Sequence, residues 1–328
     1  MSAAHPILVI RLGAMGDIIH ALPAVATLKR SFPRRKVVWL VAGRWVPLLE
    51  GNPYIDELAV FERKGLGSLR GSWRRLRAIR PGLAIDFQGL VQSALAGWIA
   101  GPEALMGFDR SIAREPLASH FYTHRIPVAG PHRVERNMQL VRAAGADEVC
   151  WDCWLPEGKA EGSLPARDFV LASPFAGWNS KQWPLELYVA LAERLRAEGL
   201  ELVVNVPAER ARELAPFPGL RVHSSSLAGL IHATRRAVAV IGVDSGPLHL
   251  AAALGKPGVA LFGPTDPAQT GPFHSRMAVL RSPEVETSYR RESGIHASMR
   301  EISVEDVAAA LRSSLIRCSS HNVELWRD

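Results

Sequence analysis

Three stretches of the chain carry side chains able to do chemistry. The first is Arg11-Leu12-Gly13-Ala14-Met15-Gly16-Asp17, between an apolar run and a helical pattern. Its glycines let the backbone turn sharply and approach a ligand closely. A helix that starts there offers N–H groups to an anion or a reacting oxygen. Asp17, ionised at neutral pH with an ordinary carboxylate pKa, reads on local pattern as a helix cap. The second stretch is Val243-Asp244-Ser245-Gly246-Pro247-Leu248-His249, a buried strand running into an Asp-Ser-Gly turn. Pro247 suits a first helical position, and the turn's N–H groups suit a diphosphate. His249 is either structural or a ligand to that anion. The third runs from Ser173 through Ser180 and Lys181 to Pro184. Lys181 at a loop-to-helix junction is either an exposed lysine or the point charge that neutralises a diphosphate leaving group.

Other chemistry is poorly supported. The first turn reads G-x-x-G rather than G-x-G-x-x-G, and Val41-Ala42-Gly43 ends the second strand without an acid for a ribose hydroxyl. Both absences argue against a dinucleotide fingerprint. Cys150 and Cys153 form a C-x-x-C pair, but the third and last cysteine is Cys318. A zinc site needs further ligands, so no metal is expected there, and three cysteines make no disulfide framework. Polar groups beside apolar stretches also occur in Asp86-Phe87-Gln88-Gly89 and Ala113-Arg114-Glu115-Pro116.

The formal net charge of +7 points to an anionic partner. Residues 63–80 concentrate it, with Arg63, Lys64, Arg70, Arg74, Arg75, Arg77 and Arg80 and no acid. That segment is a solvated helix face or a patch for an anionic acceptor or membrane surface. The chain has no apolar run long enough for a spanning helix and no signal-peptide pattern, so a cytoplasmic protein is expected.

The elements that position these turns alternate between strand and helix. Strands are expected at 7–10, 36–42 and 83–87, and helices at 18–32, 68–80 and 90–100. Pro, Gly and charge at 155–167 mark a linker. Beyond it, strands at 169–174, 200–206, 221–224, 237–243 and 258–263 alternate with helices at 185–198, 208–215, 227–236 and 247–254. Ser303 and Asp306 approximate a capping box for a helix over 303–316. The fold class is therefore α/β, with two Rossmann-like domains, 1–160 and 161–328, facing across a cleft.

These segments together resemble the lipopolysaccharide heptosyltransferases of glycosyltransferase family nine. The resemblance rests on RLGAMGDIIHALPA, DFQGLVQSALAG, GFDRSIAREPLASHFY, HRVERN, SKQWP and VDSGPLHLAAALGKPGVALFGPTDP. DFQGLVQSA and AREPLAS favour the heptosyltransferase I branch over the heptosyltransferase II branch. The resemblance implies a GT-B fold in which helix 303–316 crosses back to the N-terminal domain. It implies inverting transfer of L-glycero-D-manno-heptose from ADP-heptose to a Kdo residue of Kdo-lipid A. It implies no metal or other cofactor, no nucleic acid, and a monomer on the cytoplasmic face of the inner membrane. By motif position, Asp17 becomes the general base and Lys181 the residue that steadies the leaving group. Met15, Gly16, Ser180, Asp244, Ser245, Gly246, Pro247 and His249 become donor contacts, with Glu209 on the adenosine ribose. Arg63, Lys64, Arg74, Arg75, Gln88 and Arg114 become acceptor contacts. Where the family has a pair of threonines before the lysine, this chain has PFAGWNS, and 283–300 matches nothing. The alternatives are heptosyltransferase II activity, another nucleotide-sugar donor, or a non-enzymatic sugar-nucleotide-binding protein.

Overall fold

The computed structural model describes residues 5–62 and 66–324, with side chains for 5–62 and 71–317. The chain forms two compact units, Met1–Pro156 and Glu157–Asp328. The division falls within the Pro- and Gly-rich segment, a few residues before the expected boundary at 160/161.

The first unit is built on β1 (Ile7–Ile10), β2 (Val37–Ala42), β3 (Glu57–Phe61), β4 (Leu83–Asp86), β5 (Ala104–Phe108) and β6 (His124–Ile126). All neighbours are parallel, in the order β3-β2-β1-β4-β5-β6. β1 lies between β2 and β4, pairing Ile10 with both Leu40 and Asp86. A strand covered on both faces has no polar alternation, and all four residues of β1 are fully buried. The expected helix over 18–32 is instead two, Met15–Ile19 and Leu22–Ser31. Pro23, in the first turn of the second, has no N–H to continue the ladder of the first.

The second unit repeats this plan. Its strands are β7 (Phe169–Ser173), β8 (Glu201–Val206), β9 (Arg221–Ser224), β10 (Ala239–Val243), β11 (Gly258–Phe262) and β12 (Met277–Arg281). They are parallel, in the order β12-β11-β10-β7-β8-β9. Renumbered from the start of each unit, both sheets follow the doubly wound order 3-2-1-4-5-6. Each reverses direction between its first and fourth strands, the position where such sheets bind ligands at their carboxyl ends.

The last described helix is Val304–Glu324. Val304, Val307, Ala308 and Leu311 belong to the core of the second unit with Val259 and Leu261, and the helix packs on β11, β12 and Leu185–Ala197. Its described side chains serve the second unit's core. Burying each such aliphatic side chain contributes about 1.5–3 kcal/mol. Ser303 and Asp306 do form the cap: Asp306 N donates to Ser303 Oγ at 3.1 Å, and Ser303 Oγ donates to Asp306 Oδ2 at 2.7 Å.

Candidate active site

The functional turns sit at the two switch points. In the first unit, β1 delivers the Arg11–Asp17 turn and β4 delivers Asp86–Gly89. Asp17 is the third residue of helix Met15–Ile19, not its cap. Ala14 occupies the cap position, and its N–H donates to Asp17 Oδ2 at 3.4 Å. Both carboxylate oxygens of Asp17 are also ion-paired: Arg133 holds Oδ1 and Arg11 holds Oδ2. Burial alone would raise the pKa of this carboxyl. Arg11, Arg133 and His20 overcome that and hold it well below the usual carboxylate range. Asp17 is thus ionised, as expected, but not with the ordinary pKa expected of it.

The glycine turn is braced from β4. Arg11 Nη1 donates to the Phe87 carbonyl at 2.6 Å, and Leu12 N donates to Gln88 Oε1 at 2.8 Å. Gln88, expected to meet the acceptor, therefore commits its carbonyl oxygen to the backbone of the first turn. Asp86 is fully buried. It accepts from Tyr122 Oη at 2.7 Å, Ser93 Oγ at 2.8 Å and Gln88 N at 2.8 Å. Burial raises its pKa against the pull of these donors. Gly89 lies at φ +67°, and a Cβ there would approach Arg114 N at 3.2 Å. Arg114, exposed, is thereby stitched beside this turn, with Glu115 N donating to Gly89 O at 2.9 Å. Tyr122 passes so close to β5 that a Cβ on Gly107 would lie 2.3 Å from its ring. Gly107→Ala should therefore push Tyr122 off Asp86 and cost about 1–3 kcal/mol or more, read as a lower midpoint in denaturant unfolding.

In the second unit, β7 delivers Lys181 and β10 delivers Asp244. Lys181 Nζ donates to Asp244 Oδ2 at 3.0 Å. Thr265 Oγ1 donates to the same oxygen at 2.8 Å, and Thr270 Oγ1 donates to Oδ1 at 3.4 Å. His249 Nε2 stands 3.6 Å from Oδ1. Asp244 is 6% exposed. Burial would raise its pKa, but His249 and Lys181 hold it well below the usual range. Ser245 stands at the N-cap position of helix Gly246–Ala253 without making a side-chain cap hydrogen bond, and Pro247 lies in the first turn. The hydroxyls of Ser173, Ser180 and Ser245 are buried without a hydrogen-bond partner among the described residues. Buried hydroxyls are seldom left so unless something else meets them.

The segment 283–300, which carries no sequence signal, holds the Lys181 turn in place. Asn179 Nδ2 donates to Ser293 O at 2.9 Å and His296 N donates to Ser180 O at 3.3 Å, while just past the segment Ile302 O accepts from Trp183 Nε1 at 3.0 Å. Lys181 and Arg291 both lie over the Trp178 ring, at 4.8 Å and 5.2 Å from its centroid. Glu209 is exposed on the turn Ala208–Leu214 after β8. Its neighbour Arg210 stacks on Phe175 at 3.5 Å, placing that turn beside the loop after β7.

Several sequence candidates fall elsewhere. Met15 and Gly16 are buried within the first unit. Arg74 and Arg75 are exposed on helix Leu66–Ile79, which packs on Val91–Ala100. Arg63 and Lys64 lie outside the described residues. Cys150 is buried and Cys153 half-buried, both as free thiols, and burial with Asp152 nearby pushes the Cys153 pKa up to about 12. Thr27 Oγ1 ties Cys150 to the helix Leu22–Ser31, accepting from its N–H at 2.9 Å, which is a structural contact. Four residues that sequence reasoning did not single out complete the site. Arg11 and Thr265 stood inside quoted motifs and Arg133 inside HRVERN, whereas Thr270 lies three residues past the last of them.

Two Rossmann-like units of one strand order thus carry an ionised acid at one switch point and an acid–lysine pair at the other. The family model described as glycosyltransferase family 9 (heptosyltransferase) matches residues 69–297. Lipopolysaccharide heptosyltransferase 1 of Pseudomonas aeruginosa is 35% identical over 293 residues, covering 81% of each chain. The structure of Escherichia coli ADP-heptose lipopolysaccharide heptosyltransferase II superposes with a TM-score of 0.79 at 25% identity, over 96% of this chain and 99% of that one. E. coli heptosyltransferase WaaC with ADP gives a TM-score of 0.76 at 25% identity, over 94% and 99%. The chain belongs to glycosyltransferase family 9, the heptosyltransferases. Among the described residues no helix is long and apolar enough to cross a membrane.

Proposed function

We propose that the chain transfers L-glycero-D-manno-heptose from ADP-heptose to a Kdo residue of Kdo-lipid A, inverting the anomeric centre, in building the lipopolysaccharide core. The observation that carries this is the Lys181–Asp244 pair at the second switch point, in a chain so similar to a heptosyltransferase 1. On this reading the second unit holds the donor. The diphosphate draws the Lys181 ammonium toward itself, while Asp244 stays satisfied by Thr265, Thr270 and His249. The hydroxyls of Ser173, Ser180 and Ser245 then find phosphate or sugar partners, taking the part of the family's missing threonines. Asp17 accepts the proton of the acceptor hydroxyl as its oxygen bonds to the anomeric carbon and ADP departs. Lys181 supplies the charge that a metal would otherwise bring to the leaving group, so excess chelator should leave the rate unchanged. Incubation with ADP-heptose and Kdo-lipid A, followed by ADP release and product mass, tests the assignment. Transfer only to an acceptor that already carries heptose would move the chain to the heptosyltransferase II type.

The acceptor lies in a membrane leaflet and carries phosphates and carboxylates. The basic helix Leu66–Ile79, with Arg74, Arg75 and Arg77 exposed, fits peripheral binding to that surface. A basic residue near an anionic surface contributes about 1 kcal/mol. Charge reversal of Arg74 and Arg75 should therefore raise the KM for vesicle-borne acceptor by roughly tenfold or more and leave that for ADP-heptose unchanged. Unchanged acceptor kinetics would remove this helix from acceptor binding.

A further inference from the structure

Helix Val91–Ala100, VQSALAGWIA, carries no charged residue. It packs on β1, β4 and β5. A surface helix in such a place ordinarily turns charged and polar side chains outward. This one buries Ser93, Ala94, Ala96, Gly97 and Ala100 and turns Trp98 to the outside. Helix Leu66–Ile79 and the turn Pro116–Phe121 both pack against it. None of the three elements contains an aspartate or glutamate. Three of the eight large apolar side chains that stand exposed among the described residues lie on them: Trp73 at 48%, Trp98 at 60% and Leu117 at 66%. Exposed apolar residues scattered singly need no explanation, but three on acid-free elements in contact do. Trp73 stands one helical turn from exposed Arg77 and beside exposed Arg74. Leu117 stands three residues from exposed Arg114. The acid between those two, Glu115, is engaged, with Oε2 accepting from Val91 N at 2.7 Å.

We propose that these three elements form one docking face for an anionic bilayer leaflet. Trp73, Trp98 and Leu117 sink to the boundary between headgroups and acyl chains, while Arg74, Arg75, Arg77 and Arg114 meet the lipid phosphates. The purpose of docking rests on the membrane-borne acceptor proposed above, but the binding is measured without it. Charge complementarity selects this occupant. A second copy of the chain, meeting the same patch across a two-fold axis, would set arginine against arginine with no acid on the three elements to answer it. Anionic lipid answers with phosphate. Tryptophan suits the boundary, since its ring is apolar and its indole N–H finds a headgroup oxygen. Arginine lays its aliphatic stem along apolar surface and keeps its guanidinium among the headgroups. The two contributions differ in kind: charge attraction is screened by salt, and burial of apolar surface is not.

Cosedimentation with vesicles of equal parts phosphatidylglycerol and phosphatidylcholine, free of acceptor, reads the two apart. The wild type should bind, and a share of that binding should survive about 1 M salt, where the Debye length is about 3 Å. Trp98→Gln and Leu117→Gln change mostly exposed side chains, so the fold should hold. Each should lower the partition constant by about tenfold, and the double variant should lose the salt-resistant share. Trp98→Leu should retain it. Lipids brominated near the carbonyl end of the acyl chain should quench the fluorescence of the wild type more than that of Trp98→Phe. Wild-type binding abolished by salt, with the apolar variants indistinguishable from it, overturns the insertion. Apolar variants that break up a dimer in sedimentation yet bind vesicles like the wild type overturn it too, and make the face a contact between copies. Transfer to an acceptor stripped of its acyl chains should be the same in Trp98→Gln and wild type. A wild type that transfers no heptose to any acceptor sinks the proposed reaction, while the vesicle result still decides the docking face.

Discussion

Asp17→Asn should lower turnover by about 10²–10⁴-fold, the usual contribution of a positioned base, with ADP-heptose affinity unchanged. The argument begins with isostery. Asparagine keeps the shape of the side chain and an oxygen for one guanidinium group, but it cannot take the hydroxyl proton. The donor contacts assigned here belong to the second unit, so binding of ADP-heptose, measured by calorimetry, should hold while single-turnover rates collapse. The substitution also leaves Arg11 and Arg133 facing each other with less compensation, and the Arg11 side chain is 92% buried by its 8% exposure. A buried charge deprived of its partner is costly, so some loss of stability accompanies the loss of rate. Rates are therefore compared at a temperature where circular dichroism shows the variant folded. Equal turnover in variant and wild type would take Asp17 out of the chemistry.

Asp244→Ala should be the most damaging change in the second unit. It strands the Lys181 ammonium, whose side chain is 14% exposed, and removes the acceptor for the Thr265 and Thr270 hydroxyls. Breaking a buried pair by removing one partner costs about 3–5 kcal/mol. Asp244→Asn, which preserves the threonine contacts but not the charge, should cost less, and both should weaken ADP-heptose binding. The pH dependence separates charge from shape. Because the folded carboxyl titrates below its unfolded value near 3.9, its stabilisation is complete above about pH 4 and disappears as pH falls toward the folded pKa. The stability gap between wild type and the Asn variant, from denaturant midpoints, should therefore close on acidification below about pH 4. A gap that stays constant through that range would mean that Asp244 contributes shape alone.

What the sequence made legible follows from burial. β1, β2, β4, β7, β10 and β11 are central or well-covered strands, and each is a nearly unbroken apolar run. β5, interior to its sheet and buried from Leu105 to Phe108, went unread. β3, β6 and β12 went unread as well. They lie at sheet edges, where partial exposure breaks the apolar run: β3 buries only Phe61 and β12 only Met277. The site divides along similar lines. Turns that follow strands keep their residues close in sequence, so Asp17, Lys181 and Asp244 stood out locally. The partners that set their charge come from far along the chain. Arg133 lies 116 residues from Asp17 and Asn179 lies 114 from Ser293, and no local pattern encodes such pairings. Gln88 was legible as a polar residue at a strand end, but its hydrogen bond to Leu12 required the register of β1 beside β4.

The bracing of the Lys181 turn by Ser293 and His296 has a consequence during synthesis. The first unit ends at Pro156, so its sheet and the Asp17 turn are complete while the ribosome is still translating the second half. The Lys181 turn is made soon afterwards, yet it waits for more than a hundred further residues before its anchors emerge from the exit tunnel. A nascent chain thus completes the Asp17 turn early and the bracing of the Lys181 turn only near termination.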